Sequence, residues 1–115
     1  MFVAIYCWRI KPGMEDQFRE GWRQVAEALH SLEGGLGSRL HRNFDGTWLA
    51  YAQWSDRKHW EKAEKAGLGG AEDALQMMRE SVENPDQLDR PVFRLVVTDD
   101  FLHAASGSIE MRPPA

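Results

Sequence analysis

Cysteine is almost absent: Cys7 is the single copy in 115 residues. One thiol cannot form an internal disulfide or build a thiolate metal site by itself. Its expected place is that of a small buried strand residue rather than a reactive nucleophile. Positive charge is also in short supply, with 14 Lys and Arg against 18 Asp and Glu and a net charge of -4. No basic run is interleaved with aromatics, so nucleic acid is not an expected partner. No apolar stretch approaches the roughly 20 residues that span a bilayer, and no basic leader precedes the strand pattern that begins at Phe2. A membrane is therefore not expected, and the cytoplasm is the default location. Missing too are a His-x-x-x-His pair, a carboxylate cluster, a glycine-rich phosphate loop and a nucleophile elbow. Metal, nucleotide and hydrolase chemistry thus have no motif beneath them, and no metal or cofactor is expected.

What is present reads as one globular domain, because the length supports a single core and the 43% hydrophobic and 28% charged content is ordinary. The clearest local signal is Gly34 to Trp54, two strand-forming runs flanking Asp45-Gly46, which predicts a β-hairpin with a tight turn on that pair. In its second strand Trp48, Ala50, Ala52 and Trp54 share one face, and Leu49, Tyr51 and Gln53 the other. Residues 2 to 10 alternate in the same way, with Phe2, Ala4, Tyr6, Trp8 and Ile10 opposite Val3, Ile5, Cys7 and Arg9. Neither face is polar, so the sheet needs cover on both sides.

Lys11-Pro12-Gly13 breaks the first strand, and a helix follows with Glu15 and Asp16 in its first turn. Its apolar stripe is Phe18, Trp22, Val25, Ala26 and Leu29, and Gly34-Gly35 is expected to cap it near Glu33. Ser55-Asp56 predicts the N-cap of a second helix that turns Trp60, Ala63 and Ala66 inward. Gly67-Leu68-Gly69-Gly70 predicts a break or mobile joint before a segment with Ala71, Leu75, Met78 and Val82 on one side. Asn84-Pro85 ends that segment, residues 92–97 form a last strand, and residues 104–115 are expected to be an extended tail beyond a domain of residues 1–103.

Strand, helix, strand, strand, broken helix, strand is the order of an α+β, ferredoxin-like βαββαβ unit, an antiparallel sheet with helices on one face. The other face is apolar and uncovered, which predicts a homodimer formed sheet to sheet.

On three stretches the chain resembles the antibiotic biosynthesis monooxygenase family. These are Lys11 to Glu15 opening the first helix, Gly35 to Arg42 on the second strand, and Tyr51 to Arg57 at the end of the third. The resemblance runs over roughly residues 1 to 100 and implies a dimeric α+β barrel of ferredoxin-like subunits. The wider superfamily includes cofactor-independent quinol monooxygenases, haem-degrading enzymes and members without known activity. The haem-degrading branch uses an Asn on the first strand with a Trp and a His on the second helical region. This chain offers Tyr6 and Cys7 on the first strand and places His59 and Trp60 a turn early.

The expected activity is therefore monooxygenation of a small aromatic phenol or quinol by molecular oxygen, without cofactor. Such chemistry needs a dry aromatic pocket, a group that takes the phenol proton, and a dipole or cation for the anion. His41, beside Arg39 and Arg42, is the leading acid–base candidate, followed by His59 and by Tyr51 as a hydrogen-bond donor. Tyr6, Trp8, Arg39, Trp48 and Trp60 are the expected substrate contacts, while Trp22 and Trp54 are assigned to the core. His30 suits the dipole at the end of the first helix and needs no further role. The alternative is a non-catalytic dimer of the same fold that binds an aromatic ligand or haem. An open cavity with His or Tyr facing inward separates the first reading from the second.

Overall fold

The computed structural model describes residues 1–102, so the tail expected from residue 104 onward lies outside it. Four strands, β1 (Phe2–Trp8), β2 (Gly35–Arg42), β3 (Trp48–Trp54) and β4 (Phe93–Val96), form one antiparallel sheet in the order β2-β3-β1-β4. Helices α1 (Glu15–His30), α2 (Arg57–Ala66) and α3 (Glu72–Ser81) complete the chain with a 3-10 turn at Pro85–Gln87. This is the ferredoxin-like α+β arrangement that the element order predicts. None of these helices is long and apolar enough to cross a membrane.

The cross-strand register sorts the side chains. Pairs such as Tyr6 with Ala50, Trp8 with Trp48, and Phe2 with Trp54 point toward the helices. Pairs such as Ile5 with Tyr51, Cys7 with Leu49, Arg39 with Tyr51, and His41 with Leu49 point away from them. On the helix side Trp8, Phe18, Val25, Trp48, Ala74 and Met78 belong to one buried cluster, and Phe2, Ala4, Trp54 and Trp60 to a second. The rings of Trp8 and Trp48 meet that of Phe18 edge-on, at centroid distances of 5.1 and 6.2 Å. This geometry suits the aromatic quadrupole better than face-to-face stacking.

Helices α1 and α3 lie almost backbone to backbone. A Cβ added at Gly21 would sit 2.8 Å from the carbonyl oxygen of Ala74, so only glycine permits this approach. Helix α2 is held differently, by Trp60 tilted against Phe2 at a centroid distance of 5.2 Å and by its first turn. There Asp56 caps the helix as expected, accepting from the His59 backbone N–H at 2.9 Å. The His59 ring rests against Gly34, whose φ of +82° and lack of a Cβ make room for it.

Three local expectations are corrected. Helix α1 ends at His30 rather than near Glu33, because Ser31 and Leu32 take up the last carbonyls and Gly34 serves the turn into β2. The hairpin loop is wider than a two-residue turn. Asn43 N–H bonds Thr47 O and Gly46 N–H bonds Asn43 O, while the Asp45 carboxylate accepts from the Thr47 backbone and hydroxyl. Those two bonds hold the Asp45 carboxyl below its ordinary value, the hydroxyl first and the backbone second. Ala66, expected inward, is exposed where α2 runs out at Gly67. The break after it is where the glycines predict, with Gly67 and Gly70 at φ of +73° and +87°.

Candidate functional site

Between the two buried clusters the sheet and helices leave a cavity of about 180 Å³. β1 contributes Tyr6 and Trp8, β3 contributes Ala50, Ala52 and Trp54, and α1 contributes Trp22, Val25, Ala26 and Leu29. The alanines of β3 create the space, since small residues opposite the α1 stripe cannot fill the gap between sheet and helix. Leu68, from the joint between α2 and α3, lines it as well.

Polar groups gather on the wall that α2, α3 and the loop after α3 share: Glu64, Arg79 and Asp89, with the Tyr6 hydroxyl hydrogen-bonded to the Glu64 carboxylate. Trp60 Nε1 donates to the Tyr6 oxygen at 3.3 Å. Burial, offset in part by that bond and reinforced by the charges of Glu64 and Asp89, pushes the Tyr6 phenol up to about 12. Tyr6 therefore stays protonated at neutral pH and acts as a donor. Glu64 is open to solvent on one side and turned to the cavity on the other. Its desolvated side, and then the nearby charge of Asp89, raise its carboxyl above the ordinary value, and a hydrogen bond with Tyr6 opposes the rise without cancelling it. Trp8 stacks on Tyr6 at 5.9 Å, and its Nε1 donates to the Leu88 carbonyl at 2.9 Å in a buried bond.

Of the residues singled out from sequence, the structure brings Tyr6 and Trp8 to the cavity wall, with Trp60 behind Tyr6. Trp48 lies in the neighbouring core, against Phe18 and under the Arg42 guanidinium at 5.6 Å. Arg39, His41 and Tyr51 share the opposite face of the sheet, where His41 Nδ1 lies 3.3 Å from Leu49 O and the Tyr51 hydroxyl accepts from Gln53. His59 is engaged at the start of α2, its Nδ1 2.7 Å from Asp56 and 3.1 Å from Ser55 Oγ. Both tryptophans assigned to the core, Trp22 and Trp54, line the cavity. Glu64, Arg79 and Asp89 are additions. Glu64 was legible, since it follows the inward Trp60 by one helical turn; Asp89 sits in a loop with no periodicity to mark it.

A ferredoxin-like sheet whose helix side encloses an aromatic cavity with one polar wall defines the class of protein. A family model described as antibiotic biosynthesis monooxygenase matches residues 1–68, more than half of the chain, and the protein belongs to that family. Among solved structures it is similar to SnoaB, a cofactor-independent oxygenase from Streptomyces nogalater, with a TM-score of 0.67 at 12% identity over 88% of this chain and 96% of that one. A Bordetella bronchiseptica protein assigned to the same family gives a TM-score of 0.68 at 16% identity over 84% and 96%. Rv0793 from Mycobacterium tuberculosis gives 0.65 at 12% identity over 86% and 96%. At these identities the likeness is one of fold. Comparison with curated proteins finds no match.

Proposed function

We propose that the protein is a cofactor-independent monooxygenase that oxidises a small aromatic phenol or quinol with molecular oxygen. The observation that carries this reading is the open aromatic cavity with Tyr6 and Glu64 turned into it. An apolar cavity of about 150 Å³ is enough to hold benzene, so this one suits a substrate of one or two rings. Trp8, Trp22 and Trp54 supply stacking surface and a dry wall.

The carboxylate of Glu64 accepts the substrate's hydroxyl proton, a task suited to a carboxyl whose affinity for protons exceeds the ordinary. Protonation of Glu64 releases the single Tyr6 O–H that its carboxylate had held, and that O–H turns to the phenolate oxygen, with the Arg79 cation on the same wall. A ring carbon of the phenolate bonds to dioxygen, and the proton held by Glu64 passes to the outer oxygen to give a hydroperoxide. Glu64 then removes the ring hydrogen at that carbon, the O–O bond breaks, and water leaves with that proton. Phenol and dioxygen become quinone and water, and the substrate supplies all four electrons. The Gly67–Gly70 joint lets Leu68 move aside for entry.

A homodimer paired through the open sheet face is part of the same proposal. Phe93 and Leu95 there are 57% and 43% exposed, beside the half-buried Ile5, Cys7, Leu49 and Tyr51.

Oxygen uptake by metal-stripped protein over a panel of one- and two-ring phenols and hydroquinones, naphthohydroquinones included, tests the activity, with heat-denatured protein correcting for autoxidation. Uptake above that control is expected, falling about 10²–10⁴-fold in Glu64→Gln and persisting in His41→Ala. Loss in His41→Ala with retention in Glu64→Gln would reverse the assignment of the base. A complete absence of uptake would favour the non-catalytic binding protein.

A further inference from the structure

The polar groups that line the cavity are not all on one wall. Ser38 lines it from β2, paired with Ala52 of β3, whereas Tyr6 lines it from β1, paired with Ala50 of the same strand. β3 therefore runs between the two, and its alanines are the floor that separates them. With strands about 4.8 Å apart and a rise of about 3.4 Å per residue, the backbones at Ser38 and Tyr6 stand roughly 12 Å from each other. The Ser38 hydroxyl thus belongs to the side of the cavity remote from Tyr6 and Glu64.

That hydroxyl is unspent. Every other serine among the described residues has a partner: Ser31 donates to Ala28 O, Ser81 donates to Met77 O, and Ser55 Oγ lies 3.1 Å from His59 Nδ1. Among the described residues Ser38 has none. The Trp54 indole repeats the pattern. Of the tryptophans lining the cavity, Trp8 gives its N–H to Leu88 O and Trp22 is half-buried, but Trp54 is only 3% exposed and its N–H takes no partner among the described residues. Buried indole N–H groups are ordinarily paired. Ser38 and Trp54 also share a second, smaller recess of about 10 Å³, where Gly35 and Gly37 carry no side chain to fill it. It has room for about one water-sized group.

We infer that Ser38 and Trp54 form a subsite for a second oxygen of the ligand, so that the substrate is a two-ring phenol carrying a hydroxyl or carbonyl on the ring away from Glu64. An indole N–H only donates, so its partner is an acceptor; a hydroxyl donates or accepts, so one ligand oxygen satisfies both residues. A ring without that oxygen would cover two polar groups and pair neither, and sites of this kind discriminate against the analogue that lacks the group. The inference deepens the oxygenase reading above and rests on it for the chemistry at Glu64; the binding preference does not depend on turnover.

The test is isothermal titration calorimetry of the full chain without oxygen, comparing 2,6-dihydroxynaphthalene with 2-naphthol, which keeps both rings and lacks the second oxygen. Wild type should bind the diol about tenfold more tightly. Ser38→Ala should remove most of that preference by weakening the diol while 2-naphthol binds as before, and Trp54→Phe, which keeps a ring at the wall, should act in the same direction. Should Trp54→Phe not fold, Ser38→Ala carries the readout. Equal affinity of wild type for the two ligands, or an equal loss for both in a folded Ser38→Ala protein, would overturn the subsite. On the active enzyme the loss should appear in the KM for the diol. If the diol is preferred but neither ligand is oxidised, the oxygenase reading fails and the subsite stands; if both are oxidised through Glu64 with the same KM, the subsite fails alone.

Discussion

The two faces of this sheet are built from the same alternating strands, and both are apolar, yet they end differently. Toward the helices, Phe2, Trp8, Trp48 and Trp54 are buried and the small residues Ala50 and Ala52 leave room for a cavity. Away from them, Ile5, Cys7, Leu49 and Tyr51 are only half-covered, and Phe93 and Leu95 stand out on the edge strand β4. Val3 is the exception on that face, at 1% exposure. One face is completed by the chain itself around a cavity; the other retains the apolar surface through which the proposed homodimer would pair. Residue type alone does not separate these roles. His41 and Glu64 illustrate the point, since strand register turns the first away from the cavity and helix register brings the second to it.

That contrast is sharpest at Phe18, which is fully buried between Trp8 and Trp48. Phe18→Ala should lower the free energy of unfolding by about 3–5 kcal/mol, read from the urea midpoint, because the space it leaves lies under three elements. Gly21→Val should cost about 1–3 kcal/mol by the same measurement, since its side chain would wedge α1 from α3. On the open face Leu95→Asp should change unfolding of the single chain by only about 0.5 kcal/mol, while sedimentation of wild type and variant is expected to show the proposed dimer in the first and monomer in the second. A loss of stability there as large as that of Phe18→Ala would show that the open face is core after all.

The smallest effect is one of pH. The folded protein holds the Glu64 proton above the ordinary carboxyl value of 4.5, where the unfolded chain has released it. The associated stability is complete below that value and is lost as pH rises through the folded midpoint. Thermal unfolding from pH 4.5 upward should therefore show the wild type losing ground to Glu64→Gln. Asp56 runs the other way. The backbone and then the ring of His59 hold it below its ordinary 3.8, so its contribution is present above that value and disappears as pH falls through the folded midpoint. The two windows do not overlap, so Glu64→Gln reports on the upper one alone.

Much of the architecture was legible in sequence because it follows from period. The alternation in β1 and β3, the α1 stripe from Phe18 to Leu29, and the Asp56 cap each require only neighbours a few residues apart. The site was less legible, because its polar wall joins residues from α2, α3 and a loop. Sequence spacing places Glu64 a helical turn from Trp60, but nothing local brings Asp89 to the same cavity. That takes the Trp8 indole. The same limit explains why His41 looked suited to catalysis: its neighbours Arg39 and Arg42 are visible in sequence, but the face they occupy depends on which side of the sheet the helices cover.

The bond between Trp8 and Leu88 also sets an order of events during synthesis. At about 5–20 residues per second, the ribosome adds the 80 residues between donor and acceptor in roughly 4–16 s. Throughout that interval the indole N–H has only water to bind, and the nascent cavity stands open on the side that Leu88 and Asp89 will close. The hairpin and first helix can assemble early, but a ligand has nowhere enclosed to sit until residues 88 and 89, in the last quarter of the chain, have emerged.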